Sequence, residues 1–374
     1  MTFLLIASYP DSLIKFRGPL IEALCKKGLQ VHIAVPDIEQ STEIKKELES
    51  KGVVVHDIPL RRTGMNPLVD MNTLVHLWKL MRRIKPNYVM GYTIKPVIYG
   101  SLAAWLAKVP KRFALITGLG YAFQGQENTS IKRGFVRKLV QRLYATALST
   151  THKVFFQNPD DEALFRQLNI LKSSTPSFVV NGSGVNVSEY ELTPLPSQPR
   201  FLLIARLLGD KGIREYAEAA KLIKQEHAGI DFDLVGWIDE NPDAIKQQEL
   251  DTWINEDTIN YLGKLTDVRP AIKNSSVYVL PSYREGTPRT VLEAMSMGRA
   301  IITTDAPGCR ETVVDGDNGF LVPVKSVDAL VIAMNKLIKN PGLVQKMGQR
   351  SREIAEIKYD VHKVNDVMLR EMGI

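Results

Sequence analysis

The sequence predicts an α/β protein of two doubly wound, Rossmann-like domains facing a cleft. Three observations carry this expectation. Short apolar runs alternate with helical segments over short links, three prolines fall within ELTPLPSQPR (191–200), and the alternation restarts beyond them. A chain of 374 residues also exceeds one ordinary core. The expected division is a first domain over 1–190, a second over 191–355, and a final helix over 356–374 that packs back on the first.

Taken in order, residues 3–7 (FLLIA) read as a buried parallel strand. A polar loop follows, then a helix to Lys27 that Gly28 stops. Strands are expected at 31–35, 53–60, 87–92, 112–118, 152–158 and 177–186. Helices are expected at 41–51, 70–84, 97–107 and 133–148. Beyond the proline-rich link, strands fall at 201–206, 232–236, 259–263, 276–280 and 300–304. The helices there are 212–226, 266–274, 288–298 and 326–339, and the stretch 341–372 is helical and amphipathic. In such sheets ligands sit outside the carboxyl ends of the strands, so loops that follow strands carry the function.

Composition excludes several classes. With 44% hydrophobic and 24% charged residues the chain is globular, and two distant cysteines, Cys25 and Cys309, imply neither a disulfide framework nor a thiolate metal site. The N-terminus has no basic region ahead of its short apolar run, so it reads as a strand and not a signal peptide. No stretch nears the roughly 20 apolar residues of a membrane span. The net charge of +7 is unevenly placed: residues 1–190 hold 25 Lys and Arg against 14 Asp and Glu. The first half therefore meets something anionic: nucleic acid, an anionic lipid surface or a phosphorylated substrate.

The most informative stretch is PSYREGTPRTVLEAMSMG (281–298). It leaves an apolar strand and closes as a helix, with Thr287 expected at the N-cap, Pro288 at the first helical position and Gly298 at the stop. Glu285 precedes the helix and Glu293 lies within it, so carboxylates flank the free N–H groups of a helix N-terminus. Hydroxyl acceptors around an anion site suit a nucleotide sugar. Arg206 and Lys211, after another strand, read as a diphosphate clamp against the plainer alternative of a solvated turn.

Asp231 and Asp233 form a DxD at the wrong end of their strand for a carboxyl-end site, and Asp315 and Asp317 read as turn residues. No His or Cys cluster has metal-ligand spacing, so no metal is expected. No G-x-G-x-x-G follows the first strand, and no Walker A loop or serine elbow occurs. His32, His56 and His76 read as structural. GLG (118–120) is either a close backbone approach to a ligand or a plain turn, and Phe16 and Arg17 fall at the start of the first helix, facing the cleft. The basic amphipathic stretch 131–144 suits an anionic membrane surface about as well as a core helix with a solvated face. Nucleic acid is disfavoured, since basic and aromatic residues do not interleave on a strand platform.

RLLGDKG (206–212), LVG (234–236) and residues 281–322 together resemble family 4 glycosyltransferases, retaining enzymes of the two-Rossmann GT-B fold. The spacing Glu285 to Glu293 looks like that family's E-x7-E element. SLIKFRGPLIEAL, RFALITGLG, VNGSGVN and DENP (239–242) extend the resemblance to bacterial enzymes acting on undecaprenyl-diphosphate-linked amino sugars, of the N-acetylgalactosaminyltransferase type. The resemblance implies roles. Arg206 and Lys211 neutralise the leaving diphosphate, and Glu285 holds the donor sugar. Glu293 holds the ribose, backbone N–H groups from Gly286, Thr287 and Arg289 around Pro288 contact the sugar, and Gly236 lines the donor site. Phe16, Arg17, Thr117 and Gly118 fall to the acceptor side. Thr117 and Gly118 stand where many relatives have a His, and the loop SYPDSLIKF replaces their Gly-Gly loop. It further implies a UDP-sugar donor, no cofactor, a lipid-diphosphate-linked sugar acceptor, and a place on the cytoplasmic membrane face. A hexose donor carried on UDP or GDP, a soluble acceptor, and a non-catalytic nucleotide-sugar-binding regulator are the alternatives.

Overall fold

The computed structural model describes residues 1–62, 64, 66–119, 131–239 and 241–374, with the side chains of all but 131–136. Two compact units emerge: Met1–Ser183 with His362–Ile374, and Gly184–Val361. The first holds β1 (Thr2–Ile6), α1 (Asp11–Lys26), β2 (Gln30–Val35), α2 (Thr42–Ser50), β3 (Val54–Asp57), α3 (Pro67–Ile84), β4 (Tyr88–Tyr92), α4 (Ile94–Leu106), β5 (Lys111–Ile116), α5 (Ile131–Leu148), β6 (Lys153–Phe156), α6 (Pro159–Gln167) and β7 (Ser177–Val179). Its seven parallel strands run β3-β2-β1-β4-β5-β6-β7. Helices on both faces bury the central strands, which is why those read as continuous apolar runs, while β3 and β7 at the edges stay partly exposed. Phe3 and Leu5 join the core with α1, while Leu4 and Ile6 join the one with α3 and α4.

The second unit holds β8 (Arg200–Ile204), α7 (Ile213–Glu226), β9 (Asp231–Val235), α8 (Gln247–Asn255), β10 (Asn260–Gly263), α9 (Arg269–Lys273), β11 (Val277–Leu280), α10 (Arg289–Ser296), β12 (Ala300–Thr304), β13 (Gly319–Val322), α11 (Val327–Ile338) and α12 (Pro341–Ile354). Its parallel sheet runs β10-β9-β8-β11-β12-β13. Each sheet reverses direction once, between β1 and β4 and between β8 and β11, the positions where doubly wound sheets open a binding crevice. The last helix, α13 (Val361–Met372), inserts Met368, Leu369 and Met372 into the first unit's core, where Lys153 Nζ meets Glu371 Oε2 at 2.8 Å.

Several boundaries move from the sequence reading. The chain enters the second unit at Gly184, ahead of the expected boundary at 190, and leaves it at Val361, past 355. Two guanidiniums, one partly and one fully buried, explain the first shift. Arg352 Nη1 donates to the carbonyls of Val187, Tyr190 and Ser296 at 3.1, 2.9 and 2.7 Å. Arg299, fully buried, donates to Thr193 O at 3.0 Å and Ile272 O at 2.9 Å. Residues 187–193 are thereby fastened to the second unit before the prolines begin. Val185 N then donates to Tyr359 O at 2.8 Å, an isolated bridge that holds the entering and leaving segments side by side. The expected strand 177–186 shrinks to β7, and α6, α8 and β13 are additions. Asn158 caps α6 by accepting from Asp161 N at 2.8 Å. β13 lies inside a run that Asp-Gly and Asn-Gly marked as turn, and it pairs with β12.

His32 and His56 stack under α3 with ring centroids 5.1 Å apart, joined by a 2.8 Å Nδ1–Nε2 hydrogen bond. One hydrogen bond between two imidazoles needs one of the rings neutral as acceptor. Burial, then the His32 charge and Arg83, push the His56 pKa from 6.5 down to about 4. A depressed folded value means the unfolded chain takes the proton first. Stability of the first unit is therefore full above about pH 6.5 and declines as pH falls toward 4. Melting temperature measured across pH 7.5 to 4 should fall through that window, and His56→Gln should flatten the slope; an unchanged slope in the variant would refute the assignment.

Candidate active site

Neighbouring parallel strands β8 and β11 pair through Val277 with Phe201, so the loops leaving their carboxyl ends emerge together at the sheet's switch point. The β8 loop carries Arg206 and then a single 3-10 turn, Gly209–Lys211, that ends at Gly212. Gly212 has φ +71°, and a Cβ there would lie 2.3 Å from Pro281 O, so only glycine lets this loop press against the β11 loop. Tyr283 N donates to Asp210 O at 2.9 Å and locks the two loops backbone to backbone.

That closure makes an ion pair. Lys211 Nζ reaches Glu285 Oε1 at 2.6 Å, and Ser282 Oγ donates to the same oxygen at 2.7 Å. Burial opposes the Lys211 charge, but Glu285 and Asp210 beside it more than compensate and hold its pKa above the ordinary value. Arg206, more exposed, donates from Nη1 to Asp239 Oδ2 at 2.9 Å. Asp210 has a buried Oδ1 that accepts no hydrogen bond, and burial raises its pKa. Both cations singled out in the sequence thus stand at the switch point, each on a carboxylate.

The Glu285 loop is fixed from below. Thr303 Oγ1 donates to Leu280 O at 2.7 Å, Thr304 Oγ1 donates to Ser282 O, and Glu285 N donates to Pro307 O at 2.9 Å. Gly308, at φ +81°, lies so close that a Cβ would sit 2.1 Å from Glu285 O. Helix α10 begins one residue later than the sequence suggested. Pro288 takes the N-cap position with ψ 108°, so Arg289, not Pro288, is the first helical residue and Thr287 lies in the loop ahead of it. Pro288 lacks a side-chain oxygen, and the cap makes no side-chain bond.

Glu293, one turn into α10, is 6% exposed. Its Oε1 accepts from Arg289 Nε at 2.8 Å and Tyr190 OH at 3.0 Å, while burial raises its pKa against both partners. Gly236 ends β9 beside Ala205, and Tyr261 OH donates to its carbonyl at 2.9 Å.

In the first unit, Phe16 and Arg17 lie in the second turn of α1, later than the helix start the sequence reading gave them. Arg17 is 3% exposed and its guanidinium lies 5.0 Å over the Tyr92 ring, whose hydroxyl meets Ser12 Oγ at 2.7 Å. Thr117 and Gly118 follow β5, with Gly118 at φ +127°. Gly120 of the GLG turn and Glu240 of DENP lie outside the described residues, as do the side chains of 131–136 in the basic stretch. The described remainder of α5 buries Val140, Tyr144, Ala147 and Leu148, and exposes Arg137, Lys138 and Leu139.

Asp231 and Asp233 serve structure: Arg200 contacts them at 3.2 and 2.6 Å at the opposite end of the sheet. Asp315 accepts from Leu321 N and Asp317 pairs with Arg350, as turn residues do. Sequence reasoning overlooked Asp210, Ser282, Tyr190 and Tyr92. Asp210 and Ser282 adjoin selected residues, whereas Tyr190 reaches Glu293 across 103 positions and leaves no local signal.

Comparisons with known proteins bear on both halves. A family model described as "Glycosyl transferase 4-like" matches residues 9–158, and one described as "Glycosyl transferases group 1" matches 198–340. A Campylobacter jejuni relative, N,N'-diacetylbacillosaminyl-diphospho-undecaprenol alpha-1,3-N-acetylgalactosaminyltransferase, is 29% identical over 93% of this chain and 92% of its own. The Escherichia coli UDP-Gal:alpha-D-GlcNAc-diphosphoundecaprenol alpha-1,3-galactosyltransferase is 28% identical over 74% of this chain and 73% of its own. Among solved structures, sucrose-phosphate synthase from Thermosynechococcus elongatus superposes with a TM-score of 0.79 at 17% identity, covering 99% of this chain and 98% of that one, which establishes the GT-B fold.

The Lys211–Glu285 pair makes a stability prediction. Lys211→Met removes the cation from a partly buried carboxylate and should cost about 1–3 kcal/mol in urea unfolding, while Lys211→Met with Glu285→Leu should recover most of it. Equal losses in the single and double variants would mean that the two charges do not compensate one another.

Proposed function

The chain belongs to the family 4 glycosyltransferases, and on that footing we propose that it moves an N-acetylhexosamine from a UDP-sugar to an undecaprenyl-diphosphate-linked sugar, with retention at the anomeric carbon. One observation carries the reading: Arg206, Lys211 and Glu285 converge at the switch point of the second sheet, ahead of helix α10. A nucleotide diphosphate needs cations and backbone donors where negative charge develops, and this place supplies both. The acceptor class is carried over from the two relatives named for undecaprenol-linked substrates, and the N-acetylhexosamine from the Campylobacter jejuni name. The UDP-galactose of the Escherichia coli relative favours a hexose donor as the second reading.

In this reading the donor diphosphate takes over Arg206 and Lys211 as it binds. Lys211 releases Glu285, which turns to the hydroxyls of the donor sugar, and Glu293 accepts from the ribose. N–H groups of Gly286, Thr287 and Arg289 hold the sugar beside Pro288 and Gly236. The acceptor hydroxyl oxygen bonds to the anomeric carbon on the face from which the carbon–phosphate oxygen bond breaks. Its proton passes to the departing diphosphate. The protein's contribution is positioning and charge stabilisation, with no protein nucleophile and no metal. Phe16, Arg17, Thr117 and Gly118 are assigned to the acceptor. The basic first unit meets the anionic cytoplasmic face of the membrane, where such an acceptor resides.

The experiment pairs UDP-sugars with short lipid-diphosphate sugars, reading product by mass and its anomer by NMR. Arg206 is more exposed than Lys211, so Arg206→Ala should fold normally and lose about 10²–10³ in kcat, the scale of one oxyanion donor. A chelator should leave the wild-type rate unchanged. Wild-type turnover by Arg206→Ala would sink the assignment, an inverted product would overturn retention, and loss of rate with chelator would overturn the metal-free step.

A further inference from the structure

Helix α3 has two apolar faces. Its inner face buries Thr73, Leu77, Leu80 and Met81 against the sheet. On the outer face, Leu68, Met71, Val75 and Trp78 follow 3-4-3 spacing and form one stripe along the helix. Leu68 is 83% exposed, Met71 59% and Trp78 37%, with Val75 partly buried between them. A second tryptophan, Trp105, is 53% exposed at the end of α4, the helix packed beside α3. Soluble surfaces scatter large apolar side chains singly; a contiguous stripe is built to be covered.

Charge says by what. The carboxyl-terminal half of α3 exposes Lys79, Arg82 and Arg83, and Lys85 follows at its C-cap. The helix has one acidic residue, Asp70, and it is buried on Lys95 at 2.7 Å. The exposed surface of α3 thus combines an apolar stripe with cations and no carboxylate. A second copy docked about a two-fold axis would set these cations against themselves. An anionic bilayer complements them, since apolar side chains enter the headgroup boundary, tryptophan favours that depth, and each cation near the surface adds attraction.

We propose that α3, through Leu68, Met71 and Trp78 flanked by Lys79, Arg82 and Arg83, is the face that seats this protein on an anionic lipid bilayer. The inference rests on the membrane-bound acceptor read above and locates the contact on α3, away from the basic stretch 131–144 that the sequence singled out.

The test is flotation of the full chain with phosphatidylglycerol–phosphatidylcholine vesicles against phosphatidylcholine alone, at low and high salt. Wild type should float with the anionic vesicles at low salt, with a blue shift in tryptophan emission, and should release largely as salt screens the cations. Met71→Ser with Trp78→Ser should lower partitioning at least tenfold, and Trp78→Phe alone should retain most of it. The double variant should keep transfer to a short, water-soluble acceptor, which shows that it folds. Equal flotation by wild type and double variant would overturn the proposal, as would wild type that ignores anionic vesicles. A dimer in light scattering that the double variant dissolves would overturn it in favour of a second copy. Arg206→Ala should float like wild type, so loss of membrane binding and loss of transfer are distinguishable.

Discussion

The Lys211–Glu285 pair is the constraint on which the second unit's functional end depends. Two opposite charges held 2.6 Å apart below the surface, with Ser282 on the same carboxylate oxygen, tie together two loops from neighbouring strands. Both groups are largely withdrawn from water, so removing one partner takes away part of what offsets the other's desolvation. Local features serve this pairing. Gly212 lets the first loop touch Pro281, Tyr283 N grips Asp210 O, and Thr303, Thr304 and Gly308 hold the second loop from the neighbouring strand. The site is therefore organised before any ligand arrives, which reduces the cost of binding.

Preorganisation of this kind has a consequence for how an anion binds. Lys211 and Arg206 already have carboxylate partners, so in the proposed reading a diphosphate would not meet bare cations; it would exchange with Glu285 and Asp239 and free two carboxylates for sugar hydroxyls. Asp210 complicates the balance, since its buried oxygen accepts no hydrogen bond and its carboxyl is pushed up by burial beside Glu285 and Asp243. In the proposed reading, the two acidic groups beside Lys211, Glu285 and Asp210, favour ligands that bring donors as well as negative charge. A sugar attached to a diphosphate brings both; inorganic phosphate brings few donors.

Much of this was legible from residue order. Continuous apolar runs such as FLLIA announced parallel strands because both sheet faces are covered, and strand-end placement picked out Arg206, Lys211 and Glu285. What failed was mostly short or remote. β13 has four residues inside a stretch rich in turn signals, and only its pairing with β12 makes it a strand. The domain boundary moved because Arg299 and Arg352 seek backbone carbonyls on the far side of the prolines, and nothing in ELTPLPSQPR reports those partners. Tyr190, by bonding Glu293, brings that same crossing segment against helix α10. The cap of α10 went wrong for a local reason: Thr287 suits the N-cap by type, yet the backbone turns one residue later.

The charge asymmetry between the halves acquires a location by the same logic. A helical stretch with five cations, 131–144, drew the eye as the basic surface, but the described part of α5 spends its apolar side on the core. In α3 the two periodicities separate: 73, 77, 80 and 81 satisfy the fold, leaving 68, 71 and 78 exposed and 75 partly so among the described residues. An amphipathic helix with one apolar face is explained by its own core. One with a second apolar face, bordered by cations alone among the described residues, fits the bilayer contact proposed for α3.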